Sequence, residues 1–255
     1  MFRQLCLLAL PMMMTAQIQY PDAPVRPVTE TLHGVTLTDP YRWLEEDQAP
    51  ETRRFVEEQM RLTRSLLDPR ADRAAFRQRL TELQRVEKTD VPFVRNGRYF
   101  YTKRPASATR EAIYFRASAG SEEVLLVDPA VAAGGELGSV QLMGVSGDGR
   151  WVAYGVRAGG ADEQEVRFLN ADSRQERGVK LTASRYLEVD LTADGGMVYY
   201  SDLPVGGPRV FRLDLTKAGA APEQLFGQGL GAKMIAVSRL SEDDRHLVVE
   251  KFEGS

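Results

Sequence analysis

Apolar side chains recur at helical spacing in two stretches near the start of the chain. From 51 to 67 they return every three to four residues, with Pro50 before them and Asp68-Pro69 after them as typical helix boundaries. A second stretch from about 71 to 85 has the same spacing at Phe76, Leu80 and Leu83. The pattern predicts two amphipathic helices, each with an apolar face that needs a surface to pack on.

After Lys88 the apolar period changes from helical to alternating, which is typical of strands. Asn96-Gly97 lies between two β-rich runs and is a strong hairpin signal. Further strands are predicted at 112–117 and 124–127, and no long helix is predicted beyond them. Strands are then expected at the following positions: 150–157, 164–170, 178–182, 187–191, 197–202 and 208–215.

A short polar turn followed by an apolar, aromatic strand occurs four times. The turns are centred on Gly97, Gly149, Gly195 and Asp244, with spacings of 52, 46 and 49 residues. A period near 50 is typical of β-propeller blades, each made of four antiparallel strands that stack on their neighbours. A β-sandwich is the alternative, but it does not predict this even spacing.

The fold class predicted is therefore mainly β: an incomplete propeller of about three and a half blades, preceded by an extended segment and two α-helices. Residues 18–88 form the N-terminal segment and residues 89–255 the partial propeller. The blades are expected near 89–130, 138–183, 185–228 and 232–255. An open arc of blades would expose unpaired strand edges.

Composition excludes several classes of function. The hydrophobic fraction of 43% and charged fraction of 27% are typical of a globular protein, and a net charge of −3 offers no basic footprint for nucleic acid. One cysteine and two distant histidines give no metal-ligand spacing. The glycines of 227–231 lack the helix and the ribose-binding acid of a phosphate loop, so we predict an inter-blade loop and no cofactor.

Residues 1–17 resemble a short secretory signal, with Arg3 before an apolar run and Thr15-Ala16 at its end. The apolar run is too short to span a bilayer. We expect a periplasmic or secreted protein. The alternative is a cytoplasmic protein with a misassigned start codon.

No hydrolase site is predicted in this sequence. Gly144-Val145-Ser146-Gly147-Asp148 approaches a nucleophile elbow but lacks the final glycine and opens a repeat turn. His33 and His246 lie far apart in the chain, and neither has a predicted serine partner. Adjacent carboxylates such as Glu45-Glu46 and Asp243-Asp244 point apart, so they do not indicate an acid/base pair.

The N-terminal segment nevertheless resembles that of the prolyl oligopeptidase family of serine peptidases. The resemblance rests on Tyr20-Pro21-Asp22, His33-Gly34, the run from Asp39 to Glu46 (DPYRWLEE) and the helix opening 51–59, and it continues more loosely to the last residue. Members combine a seven-bladed propeller with an α/β-hydrolase domain that carries the catalytic serine, aspartate and histidine. That C-terminal hydrolase domain is absent from this chain.

The resemblance implies roles for several residues. The N-terminal segment would pack on the hydrolase domain, chiefly through Tyr41, Trp43, Leu44 and Phe55. Phe168 matches a second-blade position where prolyl-cleaving members place an aromatic near the substrate, although the aromatic after Asp162 is missing here. The alternative for Phe168 is an alternating core residue of its strand. The oligopeptidase B branch fits the opening segment less well.

Three functional hypotheses follow. The first is the N-terminal portion of a peptidase acting on short peptides, with the propeller gating access and no activity on its own. The second is a non-catalytic propeller that binds partners or self-assembles through its open edges. The third is one half of a split peptidase whose hydrolase is made separately.

Overall fold

The computed structural model describes residues 18–135 and 138–253. The signal sequence predicted at 1–17 lies outside these residues. The chain divides into two units, one ending at Glu82 and the other spanning Leu83–Ser255. The first unit is a hairpin followed by helices, and the second contains all of the remaining strands.

The first unit contains both predicted helices. Its elements in chain order are β1 (Val28–Leu32), β2 (Val35–Asp39), a 3-10 helix (Arg42–Glu45), α1 (Pro50–Leu67) and α2 (Arg73–Gln84). His33 and Gly34 join β1 to β2 with φ angles of 50° and 80°, a left-handed turn that suits a two-residue hairpin loop. This hairpin was not predicted as such, since the sequence indicated only an extended segment.

The apolar faces of α1 and α2 remain exposed. Thr52 is the only buried residue of α1, while Val56 and Met60 are 48% and 47% exposed. On α2, Phe76 and Leu80 are 64% and 55% exposed. The unit's own strands therefore leave uncovered the faces that the sequence predicts to need a partner surface.

The second unit begins with one complete blade. Its elements are β3 (Lys88–Thr89), β4 (Phe93–Arg95), β5 (Arg98–Arg104), β6 (Ala112–Arg116) and β7 (Val124–Val127). Since β3 and β4 both pair with β5, together they fill the position of the first strand. A four-residue helix, α3 (Pro129–Ala132), follows β7 and was not predicted; the Asp128 carboxylate caps it by accepting from the Ala130 N–H at 2.8 Å.

Two more complete blades and half of a fourth follow. Blade 2 contains β8 (Ser139–Val145), β9 (Trp151–Arg157), β10 (Gln164–Asn170) and β11 (Leu181–Ser184). Blade 3 contains β12 (Tyr186–Leu191), β13 (Met197–Asp202), β14 (Arg209–Asp214) and β15 (Glu223–Phe226). Blade 4 is represented by β16 (Met234–Leu240) and β17 (Leu247–Glu253). Every pairing among these strands is antiparallel, and apart from that of β3 with β5 each joins neighbours in sequence, so the predicted partial propeller is confirmed.

The core lies between blades, because successive strand residues face opposite ways. On β9, Val152 and Tyr154 join a buried cluster with Phe100 of blade 1, while Ala153 joins a second cluster with Val198 of blade 3. The first strands of neighbouring blades also contact one another, from β4 through β8 and β12 to β16. These first strands therefore form the inner edge of the arc.

The repeated turns share one hydrogen-bond pattern. In blade 2, Asp148 accepts from the Ser146 hydroxyl and the Arg150 N–H, and Ser146 accepts from the Trp151 N–H. The same contacts recur at two later turns, around Thr192 with Asp194 and around Ser241 with Asp243. This motif of three hydrogen bonds explains why the sequence repeat could be detected.

Candidate functional site

The aromatic segment of the first unit is anchored on Trp43. Its ring packs edge-on against Phe55 with 5.7 Å between ring centroids, and its N–H donates to the carbonyl of Pro24 at 2.9 Å. The guanidinium of Arg26 lies 5.7 Å from the same ring. Of the residues predicted to pack on a hydrolase domain, Trp43 and Phe55 thus contact each other, Leu44 is half-buried, and Tyr41 is exposed.

Arg42 fixes the hairpin to the 3-10 helix. It donates to Glu30 of β1 at 2.5 Å and to Asp39 of β2 at 3.1 Å, and these bonds raise the pKa of Arg42. Asp39 also accepts from the Tyr41 N–H, and this bond, with that from Arg42, lowers the pKa of Asp39. The charged residues interspersed among the aromatic residues therefore hold the local geometry.

The hairpin presents two different faces. Register places four threonines on one face: Thr29 opposite Thr38 and Thr31 opposite Thr36. The other face carries Glu30 and Asp39, which bind Arg42, and four exposed apolar residues: Val28, Leu32, Val35 and Leu37. The sequence interpretation missed this apolar face, although the alternation V-T-E-T-L and V-T-L-T-D was the signal that could have revealed it.

Phe168 lies in the interior of the propeller arc. Its side chain is fully buried in the apolar cluster between blades 2 and 3, with Val166 and Val189. Its strand neighbour across the sheet is Ala153. This is the position that alternation gives to a core residue, and a substrate contact would require the side chain to leave the cluster.

The serine and histidines considered as catalytic residues are separate. Ser146 is fully buried, and its hydroxyl donates to Asp148 and accepts from the Trp151 N–H, as a turn residue should. His33 occupies the exposed hairpin turn. His246 follows an exposed turn, and its backbone N–H, not its imidazole, donates to the Ser241 hydroxyl. The structure therefore brings together no serine–histidine pair from these residues.

A groove of about 510 Å³ runs along the inner edge of the arc. The first strands or adjoining turns of all four blades contribute to it. Its ionisable lining residues are Arg95, Glu188, Asp190, Arg239, Glu242 and Asp244. The groove is thus a polar, mainly acidic surface shared by the four blades.

Two of these carboxylates are partly buried. Burial raises the pKa of Asp190, although the Leu240 N–H and the guanidinium groups of Arg239 and Arg95 oppose the shift. Burial likewise raises the pKa of Glu188, with Arg239 opposing and the Asp190 charge adding to it. Residues two apart share a face of a strand, so the spacing Glu188-x-Asp190 was a signal of this acidic pair, which was not predicted.

Within 18–135 and 138–253, no three His, Cys, Asp or Glu side chains are grouped so as to hold a metal ion. No helix in the same residues is long and apolar enough to cross a membrane.

Comparison with known proteins decides the family. The sequence model described as "Prolyl oligopeptidase, N-terminal beta-propeller domain" matches residues 21–255. The chain belongs to this family. Its resemblance to prolyl oligopeptidases, inferred above from the opening segment and the repeats, is confirmed.

Relatives with a known activity extend well beyond the matched region. The prolyl endopeptidase of Elizabethkingia meningoseptica is 26% identical over 244 residues, which cover 91% of this chain and 34% of the relative. A prolyl oligopeptidase of Omphalotus olearius is 28% identical over 199 residues, which cover 68% of this chain and 26% of the relative. The chain thus spans about a third or less of the length of these curated relatives.

Solved structures show the same fold. A prolyl endopeptidase studied for the role of inter-domain dynamics in catalysis and specificity superposes with a TM-score of 0.83 at 28% identity, covering 92% of this chain and 36% of that one. Oligopeptidase B from Leishmania major superposes with a TM-score of 0.73 at 16% identity, covering the same 92% and 36%, and supports the fold alone. In both comparisons, nearly all of this chain aligns with about a third of a longer protein.

Proposed function

We propose that this chain is the N-terminal part of a prolyl-oligopeptidase-type serine endopeptidase that acts on short peptides. In this proposal the propeller limits which substrates reach a catalytic hydrolase domain. The observation that carries it is the family match over 21–255. The region of the relatives that aligns with this chain makes up only about a third of their length. Those relatives are named for cleavage at proline.

The N-terminal segment is proposed to dock on that hydrolase domain. Three apolar surfaces of the first unit are available for docking: one face of the β1–β2 hairpin, the row on α1 and the row on α2. Exposed contiguous apolar surface on a folded protein usually marks an interaction site. The Trp43–Phe55 pair would hold the hairpin and α1 in a fixed relation for docking.

The chain is proposed to be inactive alone. Acyl transfer by a serine peptidase needs a nucleophile, a base and an oxyanion hole in mutual contact. Ser146 is buried in a turn, and the histidines do not contact it. Peptidase activity would therefore come from residues in the part of the relatives that this chain does not match.

The inactivity is tested with the purified chain and a chromogenic peptide that releases its dye after proline. We expect no hydrolysis above buffer. Hydrolysis that a serine-directed phosphonate blocks would contradict the proposal. Far-ultraviolet circular dichroism of the same sample would establish that the strands are folded during the assay.

The gating role is tested by supplying a hydrolase domain. The chain is co-expressed with the reading frame downstream of its gene, and cleavage of a short proline peptide is compared with cleavage of a long unfolded protein. We expect the assembled enzyme to prefer the short peptide and the hydrolase part alone to lose that preference. Equal preference with and without this chain would contradict gating, while failure of the two parts to associate would contradict docking.

We also propose export to the periplasm or the medium, on the basis of residues 1–17 alone. Cell fractionation with an antibody against the propeller tests this. Detection of the protein outside the cytoplasm, shortened by about the length of the signal, is expected. Uncleaved protein confined to the cytoplasm would favour the misassigned start codon.

A further inference from the structure

Helix α2 has no buried residue between Arg73 and Gln84. Its large apolar side chains, Phe76, Leu80 and Leu83, are 64%, 55% and 56% exposed. Their spacing of four and three residues places them in one row along the helix, here called the apolar row of α2. A helix of this length is only marginally stable in water unless an amphipathic face is packed. The residues that the structure describes leave this row uncovered, so α2 needs a partner surface.

Arginines border the apolar row of α2 on both sides. Residues three or four apart are neighbours on the surface of a helix. With about 3.6 residues per turn, Arg73 and Arg77 lie along one side of the row and Arg79 along the other. Glu82 is the only acid of α2, and it is three or four residues from no member of the row. The exposed face of α2 is therefore apolar along its centre and basic along its edges.

The ion pairs of these arginines are few and exposed to solvent. Arg73 pairs with Asp68 at 3.1 Å and Arg79 with Glu82 at 3.3 Å, and all four side chains are more than 40% exposed. Exposed pairs of this kind contribute little to stability. Arg77 forms no ion pair within the part of the chain that the structure describes. The three arginines are therefore available to carboxylates on another surface.

The charges of α2 are not placed to stabilise the helix itself. Acids in the first turn and bases in the last turn stabilise a helix through its dipole. The first turn of α2 contains Arg73 and no acid, and its last turn contains no base. Asp72, just before the helix, is paired with Arg70 at 2.8 Å. Local helix stability thus does not explain the arginines, and this favours a role in contacts with a partner.

An apolar face with basic edges fits two kinds of partner: an anionic membrane surface or a protein groove with acidic edges. The net charge of −3 opposes attraction of the whole chain to anionic lipid, and α2 offers only three large apolar side chains for insertion. The region aligned with this chain is 34% of the Elizabethkingia meningoseptica relative, so most of that relative lies outside the alignment. These observations favour a protein partner.

We propose that α2 docks in an apolar groove edged with carboxylates on the hydrolase part of a prolyl-oligopeptidase-type enzyme. The apolar row of α2 fills this groove, and the three arginines pair with the carboxylates at its rim. Apolar contacts at the centre provide most of the affinity, while charges at the edge fix orientation and partner choice. This inference rests on the proposed function, which supplies the hydrolase part, and adds the chemistry of the partner surface.

The salt dependence of binding tests the proposal. The purified chain is titrated by calorimetry with the hydrolase part, produced from the reading frame downstream of its gene, at several NaCl concentrations. The double variant R73Q/R77Q should bind about three- to tenfold more weakly at low salt, because two exposed ion pairs are lost. The difference should disappear near about 1 M salt, where charges are screened beyond about 3 Å.

Two further variants separate the apolar row from the arginines. Phe76→Ala should weaken binding by about tenfold or more at every salt concentration, because the lost contact is apolar. Arg61→Gln on α1 is the matched control, since the residues three and four positions away on either side are all polar. It should leave Kd unchanged. Far-ultraviolet circular dichroism of each variant establishes that its helices are retained.

The possible results distinguish this inference from the proposed peptidase activity. Salt-dependent binding that R73Q/R77Q weakens would support the inference even if the assembled parts cleave no proline peptide, which would contradict the activity alone. Binding that R73Q/R77Q leaves unchanged at low salt would overturn the inference and leave docking intact. Absence of binding would overturn both. Binding of the chain to vesicles of phosphatidylcholine with phosphatidylserine, but not of phosphatidylcholine alone, and lost in R73Q/R77Q, would overturn the inference in favour of a membrane.

Discussion

The guanidinium of Arg177 lies 3.8 Å from the centre of the Trp151 ring, at the junction between blades 2 and 3. Its terminal nitrogens donate to the carbonyls of Leu215 and Gly195 in blade 3, at 2.8 and 2.9 Å. Arg177 follows β10, so a side chain from blade 2 stacks on its own blade and hydrogen-bonds to the next. Burial lowers the pKa of Arg177, but it stays charged because guanidinium groups ionise far above neutral pH.

Replacement of Arg177 by alanine should destabilise the propeller arc. The variant loses the cation–π contact and leaves two buried carbonyls without their charged donor, for a loss of about 2–4 kcal/mol in the free energy of unfolding. Urea unfolding followed by circular dichroism measures this. The matched control is Arg150→Ala, whose side chain is 66% exposed and should change stability by less than about 0.5 kcal/mol. Equal effects of the two changes would contradict the role given to Arg177.

Gly144→Ala should destabilise the junction between blades 2 and 3. The added methyl would lie 2.6 Å from the carbonyl oxygen of Val189, so β8 or β12 must shift. Overpacking of this kind costs about 1–3 kcal/mol. Gly120→Ala is the control, since a Cβ there meets nothing within 4 Å. Thermal unfolding of both variants would show no difference if the two blades could separate without cost.

Asp244 combines backbone strain with a hydrogen bond, and two substitutions can separate them. Its φ is 58°, where the equivalent turns have Gly149 at 70° and Gly195 at 67°. Asp244→Ala keeps the unfavourable positive φ and loses the hydrogen bond to the Ala193 N–H. Asp244→Gly loses the same bond but relieves the backbone strain. We expect the alanine variant to be less stable than the glycine variant by about 1 kcal/mol in urea unfolding. A glycine variant equal to or less stable than alanine would show that strain is absent.

Local patterns allowed most of the strands to be predicted, because the turn motif and the period-2 alternation are short-range signals. The helix 51–67 was likewise predicted to within one residue of Pro50–Leu67. The contacts that a residue makes with a neighbouring blade are long-range, because the two residues lie far apart in the sequence. For this reason Phe168 could be read either as a core residue or as a substrate contact, and the acidic face of Glu188 and Asp190 was missed altogether. The family resemblance indicated an absent domain, which no periodicity in this chain could show.

Glu123 should make stability depend on pH with the opposite sign to Glu188. Burial acts to raise its pKa, but the bonds from the Tyr101 hydroxyl at 2.5 Å and from Lys103 at 2.9 Å lower it overall. A lowered pKa contributes stability above the ordinary value of about 4.3, which is lost as the pH falls through the folded-state pKa. Glu123→Gln should therefore cost about 1–2 kcal/mol at neutral pH and progressively less in acid.

The control for this pH dependence is Glu122→Gln, because Glu122 is the neighbouring exposed acid. Urea unfolding of both variants and the natural chain at several pH values measures the difference. An effect of Glu123→Gln that is constant from neutral pH to below about pH 4 would contradict the linkage.

Trp43 should control the stability of the first unit selectively, because its described contacts with Pro24, Arg26, Thr52 and Phe55 all lie in that unit. Trp43→Ala removes a large aromatic side chain and its N–H donor. For a fully packed ring this lowers the free energy of unfolding by about 3–5 kcal/mol, and we expect a smaller loss here because Trp43 is half-buried. Limited proteolysis should then cut within 18–82 faster, while fragments beginning after Leu83 persist. Trp43→Phe retains the ring contact and should be cut at an intermediate rate. Equal acceleration of cleavage in both units would show that the aromatic segment does not act locally.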